Sequence, residues 1–127
     1  MHDCAFSLKP SAVSVRFSRQ VIRGLLAPFG SDFVEAAVIL TDELVANAIR
    51  HGQPPIVLDV KGNEQRLTVA VTDGGDGRPV QTVVDPLAES GRGLTIVDQL
   101  ADDWGVRDLP QGKCVWFELE IKETSGT

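Results

Sequence analysis

Apolar residues in the first half of the chain recur every three to four positions, the spacing typical of amphipathic helices. This spacing predicts a first helix that begins near Val13 and is closed by Gly30, and a second helix over residues 32–51. Ser31 and the residue after it are suited to cap the second helix, and Gly52, followed by two prolines, ends it. The first half of the chain is therefore expected to be mainly helical.

The second half of the chain alternates apolar and polar residues, which is typical of half-buried strands. Together with a short apolar run near the N-terminus, this pattern predicts five strands, at 3–8, 56–61, 67–72, 103–108 and 113–121. A short helix is predicted near 93–101, after a loop over 74–91 that is long for a compact domain and suits a lid over a ligand. This order of elements predicts an α/β sandwich (α+β), with helices on one face of a mixed or antiparallel sheet.

Length and composition narrow the class of protein. A chain of 127 residues predicts one domain, residues 1–127. Its 12 Lys and Arg against 18 Asp and Glu give a net charge of −6, which argues against direct nucleic-acid binding. No apolar run is long enough to span a membrane, no signal peptide is evident, and two cysteines are too few for a zinc site. We therefore expect a cytoplasmic protein with no membrane contact.

A polar stripe lies on the second predicted helix. Glu43 and Asn47 are four residues apart and so share one helix face, which Arg50 and His51 continue. An amide oxygen can ligate a cation directly, while a carboxylate can reach it through water or act as a general base. An ordinary solvated helix face is the alternative, and the stripe alone favours that alternative.

A glycine-rich motif, Asp73-Gly74-Gly75-Asp76-Gly77, directly follows the strand that ends at Thr72. Glycines let a ligand approach the backbone closely, and an Asp at a strand end can accept a hydrogen bond from an exocyclic amine such as that of adenine. Asp-Gly is also a common turn sequence, so a plain turn remains the alternative.

A second glycine motif, Ser90-Gly91-Arg92-Gly93-Leu94, precedes the short helix. Backbone N–H groups at a helix start can bind phosphate, although the spacing is neither that of a dinucleotide-binding fold nor that of a P-loop. Glycines that serve only as a hinge and a helix cap are the alternative.

Taken in order, the three motifs resemble those of the Bergerat-fold ATPases, the GHKL superfamily that includes gyrase, Hsp90, histidine kinases and MutL. Residues 43–51 look like the N box, residues 73–77 match the first glycine box, Asp-x-Gly-x-Gly, and residues 91–94 match the second. The Asn-Ala-Ile-x-His-Gly ending of the N box and the run Gly-Leu-Thr-Ile-Val narrow the resemblance to the anti-sigma factor serine/threonine kinase branch (RsbW- and SpoIIAB-like). The resemblance spans about residues 11–119 and implies a single Bergerat-type ATP-binding domain.

The resemblance implies ATP and Mg²⁺ as cofactors and gives a role to each matching residue. Asn47 would ligate the Mg²⁺ that bridges the ATP phosphates, and Glu43 would be the catalytic base that activates a protein serine or threonine hydroxyl. Asp73 would bind the adenine amine, with Gly75 and Gly77 shaping the adenine pocket.

The second glycine box would hold the phosphates. The resemblance assigns this role to Gly91, Arg92 and Gly93, beneath a lid formed by residues 78–90. Some kinases of the branch carry a basic residue just before the Ser-Gly of this box, whereas this chain has Glu89, a departure that weakens the kinase interpretation.

The partners implied by the resemblance are a sigma factor and an anti-anti-sigma (STAS-type) protein. Arg16, on the first helix, falls about where members of the branch present an arginine to a protein partner. Members commonly dimerise, so the resemblance allows a homodimer whose interface no motif marks. Two alternatives to the kinase stay open: a nucleotide-gated binding module without kinase activity, and a free-standing ATPase.

Overall fold

The fold is a single layer of strands with helices packed on one face. A computed structural model describes residues 3–75 and 96–121 of the chain. In chain order its elements are β1 (Cys4–Leu8), α1 (Ala12–Leu25), α2 (Ser31–His51), β2 (Ile56–Gly62), β3 (Arg66–Asp73), a helical segment at 96–100, β4 (Asp103–Leu109) and β5 (Gly112–Glu120). Both long helices and all five strands predicted from the apolar spacing are present, within a few residues of the predicted bounds.

The five strands form one sheet in the order β1-β2-β3-β5-β4. Every pairing within this sheet is antiparallel, so of the two predicted sheet types the antiparallel one is correct. β5 lies between β3 and β4, which brings the start of β5 beside the end of β3: Lys113 is opposite Asp73. β1 and β4 are the edge strands.

One face of the sheet is buried under the helices. Alternate residues of the central strands are fully buried, and α2 contacts β2, β3 and β5. The largest fully buried side chains come from both layers: Phe117, Ile22, Leu26, Leu40, Leu44, Ile56, Leu58 and Leu67. Burial of these apolar side chains is the main stabilising contribution to the fold. The other face carries half-buried, mostly polar residues around a shallow cavity of about 510 Å³.

Two ion pairs join α1 to α2 on the surface of the helical layer. The guanidinium of Arg19 donates to both carboxylate oxygens of Asp42 at 3.0 and 2.8 Å, and Arg23 donates to Glu35 at 2.6 Å. Burial raises the pKa of Asp42 and outweighs the opposing effect of Arg19. Arg16 lies exposed on the same helix and has no ion-pair partner within the described part of the chain.

The starts of the helices differ in one respect from the sequence prediction. α2 begins at Ser31 itself with Gly30 as its N-cap residue, so Ser31 and Asp32 lie in the first turn, and no side chain caps the helix. Asp32 still contributes a negative charge near the positive end of the helix dipole. The helix end is as predicted, with Gly52 as the C-cap residue.

Candidate functional site

Asn47 is the least satisfied polar side chain of the buried helix face. It is 6% exposed, and neither its amide oxygen nor its amide nitrogen has a hydrogen-bond partner among the described residues. Buried polar atoms are nearly always paired, so an amide left with both ends unpaired requires an explanation. A ligand that binds the amide oxygen would supply one.

Glu43 lies one helical turn before Asn47. The two side chains share a face of α2, where residues four apart have Cβ atoms about 5–6 Å apart. Glu43 is half-buried and makes no hydrogen bond or ion pair within residues 3–75 and 96–121. The predicted pair is therefore present as a carboxylate and an amide that are adjacent and uncommitted.

Asp73 forms the second part of the site, at the end of β3. Its side chain is 2% exposed, and its two oxygens have different partners. Oδ1 accepts a hydrogen bond from the backbone N–H of Gly75 at 2.8 Å, and Oδ2 is 2.8 Å from Nζ of Lys113. Two fixed partners hold the carboxylate in one orientation.

Glycines allow the chain to pack against Asp73. A Cβ at Gly52 would lie 2.6 Å from Cγ of Asp73, so the end of α2 touches the carboxylate directly. Gly112 has a φ of +127°, and a Cβ there would clash with the backbone oxygen of Asp73. These contacts place the end of α2, the end of β3 and the start of β5 in one compact corner.

Lys113 is the residue of this corner that the motifs did not identify. It is 6% exposed and faces the helices together with Val115, Phe117 and Leu119, because alternate residues of a strand share one face. In the sequence, Lys113 stands at a core-facing position within an alternation of apolar and polar residues. This signal could have identified it.

The end of α2 adds positive charge near this corner. Arg50 and His51 occupy the last turn of the helix and are exposed. Burial, followed by the charges of Arg50 and Lys113, lowers the pKa of His51. The imidazole therefore stays neutral down to a lower pH than usual.

Of the remaining predicted site residues, only Gly75 is among the residues that the structure describes. Gly75 is at the corner, two residues after Asp73, to which its backbone N–H donates. The rest lie outside the described residues: Gly77, Gly91, Arg92, Gly93, the predicted lid at 78–90 and Glu89.

The donor atoms on the Glu43 and Asn47 face of α2 suit a cation that brings most of its own ligands. The described residues contain no group of three or more His, Cys, Asp or Glu side chains arranged to hold a metal ion. Mg²⁺ takes oxygen ligands and is often held by one or two protein oxygens together with phosphate oxygens and water. The unpaired amide oxygen of Asn47 fits that requirement.

None of the described helices is long and apolar enough to cross a membrane.

Comparison with known proteins identifies the fold and the family. The family described as "Histidine kinase-like ATPase domain" matches residues 7–119. Among solved structures, the RsbU and RsbW domains of Rv1364c from Mycobacterium tuberculosis match with a TM-score of 0.72 at 17% identity, over 95% of this chain. The chain spans 33% of the length of that protein. No protein of curated function matches the sequence significantly.

Proposed function

The chain belongs to the histidine kinase-like ATPase family, and we propose that it is an ATP-binding anti-sigma regulatory factor with serine/threonine protein kinase activity. In this proposal it phosphorylates an anti-anti-sigma (STAS-type) partner and sequesters a sigma factor. Family membership implies ATP binding. The finer proposal rests on the amide of Asn47, which is buried with no hydrogen-bond partner among the described residues. One helical turn away lies the carboxylate of Glu43, which has no described partner either.

The adenine and the phosphates of ATP would contact different parts of the site. Asp73 would accept a hydrogen bond from the exocyclic amine of adenine, and Asn47 would hold Mg²⁺ through its amide oxygen. Mg²⁺ would neutralise charge on the phosphates, which phosphoryl transfer requires. The second glycine box, Gly91 to Gly93, is proposed to bind the phosphates on the strength of its sequence alone.

Glu43 is proposed as the catalytic base. Its carboxylate would take the proton from the hydroxyl of the acceptor serine or threonine as that oxygen forms a bond to the γ-phosphorus. The bond between the γ-phosphorus and the bridging oxygen breaks, and ADP leaves with the electron pair. A base needs a free carboxylate, and Glu43 makes no ion pair with any described residue.

The protein partners are proposed from the branch that the motifs resemble. Arg16 is exposed on α1 and is not engaged in the ion pairs that hold α1 to α2, so it is available to a partner. The long chain that carries the similar RsbW domain also carries an RsbU domain. A homodimer belongs to the same proposal, without an assigned interface.

The kinase proposal is tested by phosphate transfer. The purified protein is incubated with labelled ATP, Mg²⁺ and a panel of anti-anti-sigma domains. Glu43→Gln and Asn47→Ala are compared with Glu35→Gln, a control on the exposed side of the same helix. Label on one domain, lost in the first two variants and kept in the control, is the expected result.

Three results would contradict the proposal. Transfer by Glu43→Gln at the native rate would refute the assigned base. Nucleotide binding without transfer to any domain would favour the alternative, a nucleotide-gated protein-binding module, which rests on the sequence departure at Glu89. ATP hydrolysis without an acceptor would favour a free-standing ATPase.

A further inference from the structure

Lys113 and Asp73 form a buried ion pair in the proposed nucleotide site. They face each other across β5 and β3 in register, with Nζ 2.8 Å from Oδ2 and both side chains less than one-tenth exposed. Lysine is among the residues least often buried, and it is buried almost only when paired. The part of the proposed site that would contact adenine therefore contains a buried positive charge, Lys113, as well as a buried negative one, Asp73.

Stability alone does not account for this pair. Removing two charges from water costs free energy that their attraction rarely exceeds, and an apolar pair of similar volume is often as stable. A surface partner was also available to Lys113, because Asp108 on β4 lies opposite it in register and is exposed. The ammonium pairs instead with the buried carboxylate.

Within the described residues, the pair retains unused hydrogen-bonding capacity. An ionised carboxylate has about four acceptor positions, of which Asp73 uses one for Gly75 and one for Lys113. An ammonium has three donors, and Lys113 uses one of them on Asp73. The corner therefore presents an acceptor beside a donor, separated by 2.8 Å.

We propose that Lys113 is a specificity-determining residue for adenine, donating a hydrogen bond to N1 of the base while Asp73 accepts one from the exocyclic amine. Adenine carries an amine donor next to the N1 acceptor, whereas guanine carries an acceptor oxygen next to an N–H donor. In the arrangement proposed, guanine would place its oxygen against the carboxylate and its N–H against the ammonium. This inference rests on the proposed ATP binding at Asp73.

The test replaces one acceptor atom of the ligand, so it can be carried out on the native protein without any risk of misfolding. Calorimetric titration with Mg²⁺ compares ADP, GDP and 1-deaza-ADP, in which a C–H replaces N1. A lost charge-assisted hydrogen bond predicts that 1-deaza-ADP binds about 10- to 100-fold more weakly than ADP. The same ratio is then measured in Lys113→Met and in Lys61→Met, a control at an exposed lysine on the open face of β2.

The expected result is a large ratio in the native protein and in Lys61→Met, and a ratio within about threefold of unity in Lys113→Met. Equal affinity of the native protein for ADP and 1-deaza-ADP would overturn the inference and leave the proposed ATP binding intact. Tighter binding of GDP than of ADP would overturn it by reversing the order of donor and acceptor. If the native protein bound no purine nucleotide, ATP binding itself would be refuted, and the inference with it.

Discussion

The amide of Asn47, proposed above as a ligand of Mg²⁺, should cost the ligand-free protein stability. Both polar atoms of its amide are buried without a partner among the described residues. Leu has the same branched shape and no polar atom, so Asn47→Leu removes the unpaired groups and leaves the helix face filled. We expect the variant to be more stable than the native protein without ligand, and to bind a Mg²⁺–nucleotide complex much more weakly.

The magnitude follows from the cost of burying an unpaired polar group. Each such group costs about 1–3 kcal/mol, and the larger volume of Leu offsets part of the gain, which leaves about 2 kcal/mol. A domain of this size changes its melting temperature by about 4 °C for each kcal/mol, so we expect a rise of about 8 °C. Loss of the cation ligand should weaken nucleotide binding by about 100-fold.

The assay is thermal unfolding with and without Mg²⁺–ADP, together with calorimetric titration. Thr41→Val is the matched control, because Thr41 lies on the same helix and its hydroxyl is also buried with no partner in the part of the chain that the structure describes. The control should be about 1 kcal/mol more stable and bind nucleotide normally. Destabilisation of ligand-free Asn47→Leu, or unchanged Mg²⁺–nucleotide affinity, would refute the reasoning.

Two further predictions concern the same corner. Gly112→Ala should destabilise the protein by about 3 kcal/mol in urea unfolding, because its positive φ and its contact with the Asp73 backbone exclude a Cβ. Gly24→Ala, where a Cβ meets nothing, should stabilise by about 0.5–1 kcal/mol, and equal effects would contradict the geometry. Burial and two nearby cations lower the pKa of His51, so the folded state binds fewer protons than the unfolded state. The free energy of unfolding should therefore fall from about pH 7.5 to about pH 5.5, and less steeply in His51→Gln; an identical slope would refute this.

Local spacing predicted most of the fold, because the helical and extended repeats in the sequence are strong. The family resemblance drawn from the three motifs is confirmed, as is the α+β sandwich. The place of β5 between β3 and β4 could not be predicted, since no local pattern records a pairing between segments about 40 residues apart. The sequence also could not show that Ser31 does not cap α2, because a capping residue in the sequence does not fix where the helix begins.

The site residues likewise fall into two groups, those that local sequence patterns could predict and those that depend on how distant strands pair. The stacking of Glu43 and Asn47 follows from helix geometry alone, and Asp73 from its position at a strand end. The role of Lys113 depends on register: it faces Asp73 only because β3 pairs with β5 at that residue. From the sequence, the alternation could have marked Lys113 as core-facing, but it could not have identified Asp73 as its partner.

The alternation of β4 and β5 also provides two optical reporters. Trp104 lies opposite Phe117 on the helix side and donates to Asp98 at 2.8 Å, whereas Trp116 lies on the open face, with its ring over Gly105. The chain contains two tryptophans and no tyrosine, so its intrinsic fluorescence comes from these indoles. Replacing Trp116 with Phe leaves one emitter, hydrogen-bonded to the helical segment at 96–100. Its emission would report on that segment during a nucleotide titration, without any attached dye.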